Sequence, residues 1–437
     1  MRYLRSLADN WAKGRIGKVS QVIVANGFNN LVSLAIMLHA ARKLGPESFG
    51  ELGLVLAVVT LGVVFLDSGV SVALVRNYNN TSDPETRKIL VGGVLKAKVV
   101  QVLLIAVLAF PLAHLLRYFL PEMKSVDTLA AGIISAVLMS LWISIRSLEQ
   151  ARRNYSAFTR YIYLFGSLRV VIYAVTLALG RMSAMSVLLC LYLIPLSLLL
   201  VYTTVIRERA ALGFSLSDLA HEGRALWAAL KYGTWVAGSA LFLTLASRLP
   251  LFFLARRSSL KQLGLYTAAL TFVNGFGLIW DAVNTVVMPE VSALRSPEAR
   301  LRFRGMLFRK LPLMFSVLAA GVFACILLQG VFLGPAYRGS ISTFLVIGSA
   351  TAICMCVSVN NNLVHAYGIP ETLTYMNLAR VVLLGIALVV CPRPDSLNVG
   401  IIYSVVLLAG DVGLYFHLWR RIGEDRATLR VAAAMAE

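Results

Sequence analysis

The chain has 437 residues, of which 58% are hydrophobic and only 14% charged, and it carries a net charge of +20. A soluble domain would carry about 25% charged residues, so the composition and a mean hydropathy of +0.77 exclude an ordinary soluble protein. The apolar runs lack strand-like alternation, which excludes a membrane barrel and leaves a helical polytopic membrane protein.

Twelve spans are expected: 19–39, 51–75, 91–116, 128–147, 161–180, 185–206, 231–254, 263–289, 312–333, 341–361, 375–391 and 398–419. Each is long enough to cross a hydrocarbon layer of ~30 Å as a helix. The basic start MRYLRSLADNWAKGRIGK is not followed by a short apolar core and a cleavage site, so the first span reads as a retained signal-anchor. With the N-terminus inside, 24 of the 41 Lys/Arg fall in cytoplasmic loops and tails, two more (Arg146 and Lys231) at the cytoplasmic ends of spans, ten outside and five deeper within spans. That is the positive-inside pattern, with both termini cytoplasmic. It accounts for the basic charge through topology and attraction to anionic lipid, and nucleic acid is not an expected partner.

Other signals are negative. Cys190, Cys325, Cys354, Cys356 and Cys391 lie in or at the ends of spans and form neither a disulfide framework nor a metal site. The five histidines are scattered without ligand spacing. GRIGKVS (14–20) lacks the first glycine of a phosphate loop, so no ATPase is encoded and transport must draw on an ion gradient, the membrane potential or the substrate gradient. The outer loops reach about eleven residues, too short for an extramembranous domain. No cofactor is expected.

The longest inner loop, 207–230, separates a six-span lobe at 1–206 from another at 231–437, and Leu212–Leu230 within it has the composition of an amphipathic surface helix. Sliding the chain by 214 residues lays Ala41-Arg42-Lys43 on Ala255-Arg256-Arg257, Gly50 on Gly264, Leu56 on Leu270, Val59 on Val273 and Asp67 on Asp281. Because six spans separate the copies, they share one orientation. This is a parallel repeat about an axis along the membrane normal.

The run ARKLGPESFGELGLVLAVVTLGVVFLDSGVSVALVRN resembles the opening of the polysaccharide transporter family, the O-antigen and capsule-repeat flippases of the multidrug/oligosaccharidyl-lipid/polysaccharide exporter superfamily. The similar features are R-x-LGP-x-x-FG after span one and D-x-G with ALVR at the end of span two. LEQARRNYSAF (148–158) and LGPAYRGS (333–340) add weaker echoes. The resemblance implies an all-α fold of two pseudo-two-fold-related six-helix bundles around a central cleft, working by alternating access.

Charges inside spans cost roughly 2.5–3.5 kcal/mol each on insertion scales, so each needs a reason. Asp67, and Asp281 at the repeat offset, are either structural carboxylates, with Lys96, Lys98 or Arg76 as partners for Asp67, or protonatable coupling sites. Asn26, Asn29, Asn30 and Ser33 share one face of span one, and Thr244 and Ser247 take the places of Asn30 and Ser33 in span seven. Such faces meet either another helix or a hydrophilic cleft. Arg248, Arg169 and Arg380 are candidates for pyrophosphate, since a guanidinium suits bidentate capture and keeps its charge; Arg169 and Arg380 are also placed to snorkel.

The resemblance further implies a lipid-linked oligosaccharide as substrate, a polyprenyl pyrophosphate moved to the outer leaflet of the bacterial inner membrane. The destination is a surface glycan such as lipopolysaccharide O-antigen, capsule or exopolysaccharide. It implies coupling to an H+ or Na+ gradient, and partners among membrane lipids, a polysaccharide polymerase and chain-length machinery. A cation-coupled multidrug antiporter of the same superfamily is the first alternative, disfavoured because Lys/Arg outnumber acids inside the spans. A membrane polysaccharide polymerase or ligase is the second, disfavoured by the short outer loops.

Overall fold

The computed structural model describes residues 16–123, 125–203, 216–292, 294, 296–367, 369 and 371–434; side chains are described within these except at 16–19, 216–236, 278–290, 292, 359–360, 365 and 428–434. The described residues are almost wholly helical and contain no strand. In order the helices are α1 (Ile16–Asp67), α2 (Val70–Asn80), α3 (Pro84–Phe119), α4 (Val126–Ala151), α5 (Tyr155–Ala178), α6 (Ala184–Leu188), α7 (Ile194–Val201), α8 (Leu216–Arg257), α9 (Leu260–Ser292), α10 (Pro297–Leu333), α11 (Arg338–Asn361), α12 (Leu363–Tyr367), α13 (Glu371–Val390) and α14 (Ser396–Ala434).

Among the described residues ten helices are long and apolar enough to cross a membrane, and the one over 20–80 covers the first two expected spans. The 52 residues of α1 would reach about 78 Å at about 1.5 Å per residue, far beyond one bilayer. The chain turns inside α1 at Gly45, whose φ of 73° and ψ of 170° no other residue type adopts readily. The turn after the ninth span repeats this device, with Gly334 at φ 80° and ψ −177°. Both glycines stand in a Leu-Gly-Pro triplet, and the proline has φ preset for the next helix. Side-chain caps start other helices: Ser125 accepts from the Thr128 amide at 3.2 Å, Asn154 from Ala157 at 3.3 Å, and Ser296 from Ala299 at 3.2 Å.

Three spans depart from the expected form. Span two is not continuous: it breaks after Asp67, with Ser68 at φ 43° and Gly69 at φ 79°. Span six contains a π-helical turn, Leu189–Leu193, just before Pro195, where a missing amide loosens the ladder. In span seven the described helix, Leu216–Arg257, is one element through residue 230.

Contacts divide the chain into two compact units. The first runs to Ala40 and includes Val55–Phe119 and Met123–Ala237; the second comprises Ala41–Leu54, Leu120–Glu122 and Gly238 onward. In the first, Gly132 and Gly62 let spans two and four approach, because a Cβ at Gly132 would press on Val55 at 2.7 Å and one at Gly62 on Ala136 at 2.8 Å. Its core gathers Leu141, Trp142, Tyr161, Phe165, Leu196 and Leu199. A core of the second gathers Val291, Phe303, Leu363, Val364, Leu414 and Leu418. In each unit the third-type span exposes large apolar side chains: Val107 on α3 is 77% exposed and Val331 on α10 71%.

The second unit makes the 214-residue offset physical. A Cβ on Gly264 would strike the Pro46 carbonyl, and one on Gly50 would strike the Leu260 carbonyl. Pro46 and Leu260 are themselves one offset apart, as are Gly50 and Gly264, so the contact repeats itself about a pseudo-two-fold. Nearby, the two Leu-Gly-Pro turns meet. The Tyr337 hydroxyl donates to the Ala41 carbonyl at 2.7 Å, and the Tyr337 ring stands edge-on to Phe49, centroids 6.2 Å apart.

Candidate functional site

Each unit buries an arginine on its fifth-type span, and the two are held differently. In the first unit Arg169 on α5 is 3% exposed. Its Nη1 donates to Ser33 Oγ at 2.7 Å and to Asn29 Oδ1 at 3.2 Å, both on span one. The guanidinium lies 4.7 Å from the Phe165 ring centroid and 5.6 Å from that of Tyr192. Gly166 permits this docking, since a Cβ there would meet the Phe28 ring at 2.7 Å. Among the described residues no carboxylate touches Arg169, and its buried Nε has no hydrogen-bond partner. Here is a full cation held only by neutral groups.

In the second unit Arg380 on α13 is 5% exposed. Its Nη2 forms an ion pair with Asp411 Oδ1 at 2.9 Å and reaches the Leu407 carbonyl at 3.3 Å, both on α14. Its Nη1 donates to Asn377 Oδ1 at 3.0 Å. Asn377 in turn donates to Ser239 on the seventh span at 3.0 Å, and Asn361 Nδ2 donates to Asp411 at 3.2 Å. Gly410 makes room for this network, because a Cβ there would collide with Arg380 Nε. Charge is balanced and the network ties four helices together.

The other predicted residues fall as follows. Asn26 and Asn30 are half-buried on span one and make no side-chain hydrogen bond among the described residues. Thr244 is half-buried, and its carbonyl accepts from Ser247 at 2.8 Å. Arg248 is half-buried in the second unit, with the Tyr266 and Tyr403 hydroxyls in its field. Asp67 sits at the break of span two and accepts from Ser71 at 2.5 Å. Lys98, 3% exposed, lies in its field but hydrogen-bonds elsewhere: to the Leu66 carbonyl at 2.6 Å, to Ser140 at 2.7 Å and to Gln101 at 3.2 Å. Lys98 therefore caps a carbonyl that the helix break releases. The side chain of Asp281 lies outside the described residues.

Arg169, Asn29 and Ser33 thus come together; Arg248 and Arg380 share the second unit with Tyr403 in the field of both. Sequence reasoning missed Asp411, Asn377 and Ser239 as site residues. The available signal was an arginine and an aspartate on consecutive spans, both too deep to reach water. Among the described residues no His/Cys/Asp/Glu group could hold a metal ion.

Residues 40–328 match the model of a family described as polysaccharide biosynthesis protein, and the chain belongs to that family. Its fold is similar to those of solved MATE and MurJ structures. A structure of the lipid II flippase MurJ in an inward closed conformation superposes with a TM-score of 0.63 at 14% identity, covering 90% of this chain and 86% of that one. A MATE transporter in a straight conformation gives 0.60 at 15% identity, covering 94% and 96%. A superfamily transporter from Pyrococcus furiosus gives 0.52 at 14%, covering 93% and 95%. No curated protein sequence matches. The chain is a multi-pass membrane protein with a transporter fold.

Proposed function

We propose that this protein is a flippase that carries a polyprenyl-pyrophosphate-linked oligosaccharide from the inner to the outer leaflet of the bacterial cytoplasmic membrane by alternating access, for assembly of a surface polysaccharide. The observation that carries the reading is Arg169, a buried cation with neutral partners in a member of a polysaccharide biosynthesis family. A hydrated pyrophosphate and several sugars cannot cross hydrocarbon unaided. A guanidinium already desolvated, and without a competing carboxylate, binds phosphate more strongly than one in water. Asn26 and Asn30, with uncommitted amides on the same face of span one, offer donors and acceptors to sugar hydroxyls. The polyprenyl tail stays in lipid throughout.

Arg380, Arg248 and Thr244 have secondary parts in this reading. Arg380 is already neutralised by Asp411 and acts as a structural tie, while Arg248 keeps a role toward the pyrophosphate. Coupling draws on an H+ or Na+ gradient, with Asp67 and Asp281 as the carboxylates that respond. A polysaccharide polymerase and its chain-length partner consume the product outside.

The test is the pool of lipid-linked oligosaccharide in cells depleted of the protein. Accumulation on the cytoplasmic face, reversed by re-expression, supports the flippase and identifies the sugar by mass. An unchanged pool with altered sensitivity to cationic drugs supports the antiporter instead, and unpolymerised repeats on the outer face support a polymerase.

A further inference from the structure

A third buried arginine lies outside the candidate site. Arg304 stands near the start of α10, in the segment with the most Lys/Arg of any loop region, and is 5% exposed. Its guanidinium carbon lies 4.4 Å from the Trp419 ring centroid, 5.1 Å from Phe308 and 5.8 Å from Tyr415. Nη2 donates to the Tyr415 hydroxyl at 3.1 Å, but Nε and Nη1 are buried without partners. Asp425, a buried acid on α14, is already committed. It accepts from Arg300 at 2.8 and 2.6 Å and from the Tyr367 hydroxyl at 2.7 Å. Among the described residues no carboxylate contacts Arg304.

Aromatic faces offset part of a guanidinium charge but accept none of its in-plane hydrogen bonds. Two donors are therefore unmet, and they lie beneath side chains that face outward: Phe308 is 45% exposed, Trp419 47%, and neighbouring Phe416 63%. Exposed aromatic side chains beside basic residues mark the level of lipid headgroups, and Arg309, Lys310 and Arg420 are exposed on the same two helices. A soluble anion would have to enter through an apolar aromatic cover. A phospholipid instead brings acyl chains for Phe308 and Phe416 and a phosphate for the fork.

We propose that Arg304, Tyr415 and Trp419 form a site for the phosphodiester of a resident anionic phospholipid, at the end of the second unit that the charge pattern puts at the cytoplasmic face. The site is independent of the substrate carried. The bound lipid supplies the anion that Arg304 lacks and seals α10 against α14.

The experiment uses the full chain, purified in detergent and stripped of lipid, with native mass spectrometry of lipid retained from equal phosphatidylglycerol and phosphatidylcholine. Wild type is expected to retain the anionic lipid at least about fivefold over the zwitterionic one, because the choline ammonium of the latter offsets its phosphodiester charge beside Arg304 and the neighbouring Arg309, Lys310 and Arg420. Arg304→Met should abolish the preference, and Arg304→Lys, a point charge without the fork, should keep part of it. Brominated phosphatidylglycerol should also quench a component of wild-type tryptophan fluorescence that is absent from Trp419→Phe, a measurement that does not depend on the Arg304 variants folding. Equal retention in wild type and Arg304→Met, quenching unchanged in Trp419→Phe, or displacement of the anionic lipid by millimolar inorganic phosphate or by polyprenyl pyrophosphate alone would each overturn the proposal.

Discussion

Arg169 and Arg380 occupy corresponding spans of the two units, yet one is paired with a carboxylate at 2.9 Å and the other rests on a serine and an asparagine. The difference teaches how a repeat divides labour. An arginine inside an ion pair has its field cancelled, and removing one member of such a pair costs far more than replacing both. An arginine among neutral groups keeps its field, and its burial is tolerable only where an anion arrives. In the proposed flippase one arginine therefore holds helices together and the other awaits a ligand.

The comparison can be broken by mutation, and the largest effect is expected at the pair. Asp411→Leu leaves Arg380 buried and unpaired, and should destabilise the protein by roughly 3–5 kcal/mol, read as a lower melting temperature in detergent. Asp411→Leu combined with Arg380→Leu should recover most of that loss. If the double variant is as unstable as the single one, Arg380 has a role beyond the pair. Arg169→Leu should behave in the reverse way. It strands only the Asn29 and Ser33 side chains, at about 1 kcal/mol each or less, while transport falls by at least about tenfold in a lipid-linked oligosaccharide assay, as loss of a charged contact implies.

Smaller effects are expected where packing rather than charge is altered. Gly264→Val forces a branched side chain onto the Pro46 carbonyl and should cost about 1–3 kcal/mol by overpacking. Gly50→Val, its repeat mate, should cost a similar amount, and unequal losses would show that the pseudo-symmetric seam is not shared evenly. The smallest effect concerns Asp425 beyond the last span. Burial opposes its ionisation, but the hydrogen bonds from Arg300 and Tyr367 outweigh that and hold its carboxyl below the usual range. A depressed folded-state pKa gives stability that is present above the unfolded value of about 3.9 and lost as pH falls through the folded value. Asp425→Asn keeps an acceptor for the Tyr367 hydroxyl but loses the charge facing Arg300, and should therefore lower stability near neutral pH by roughly 1 kcal/mol, read as a lower melting temperature. Its gap from wild type should close below about pH 4; a gap independent of pH would assign the loss to packing instead.

Much of this architecture is written in residue order. Hydrophobic run length set the spans, because a bilayer leaves helical backbone few alternatives. The Leu-Gly-Pro triplets marked two outer turns, since glycine alone takes their backbone angles easily. Even the pairing of Gly50 with Gly264 was latent in the 214-residue offset. What sequence could not reveal depends on rotation and contact between helices. The break at Asp67–Gly69 sits inside an apolar run with no proline, and its stabiliser, Lys98, is 32 residues from the carbonyl it caps. Asp411 looked like one more acid inside a span until α13 and α14 were seen to set it against Arg380. Arg304 looked like one of six basic residues in a cytoplasmic segment, because nothing local reports that α14 brings Trp419 and Tyr415 over it.

The most direct measurement is the sidedness of the lipid-linked oligosaccharide in cells whose only copy of this protein is Arg169→Leu, compared with the Arg380→Leu/Asp411→Leu double variant at matched membrane levels. The account predicts cytoplasmic-face accumulation with the first and export near the wild-type rate with the second. Normal export by Arg169→Leu, with accumulation in the charge-neutral double variant, would contradict it and move the anion site to the second unit.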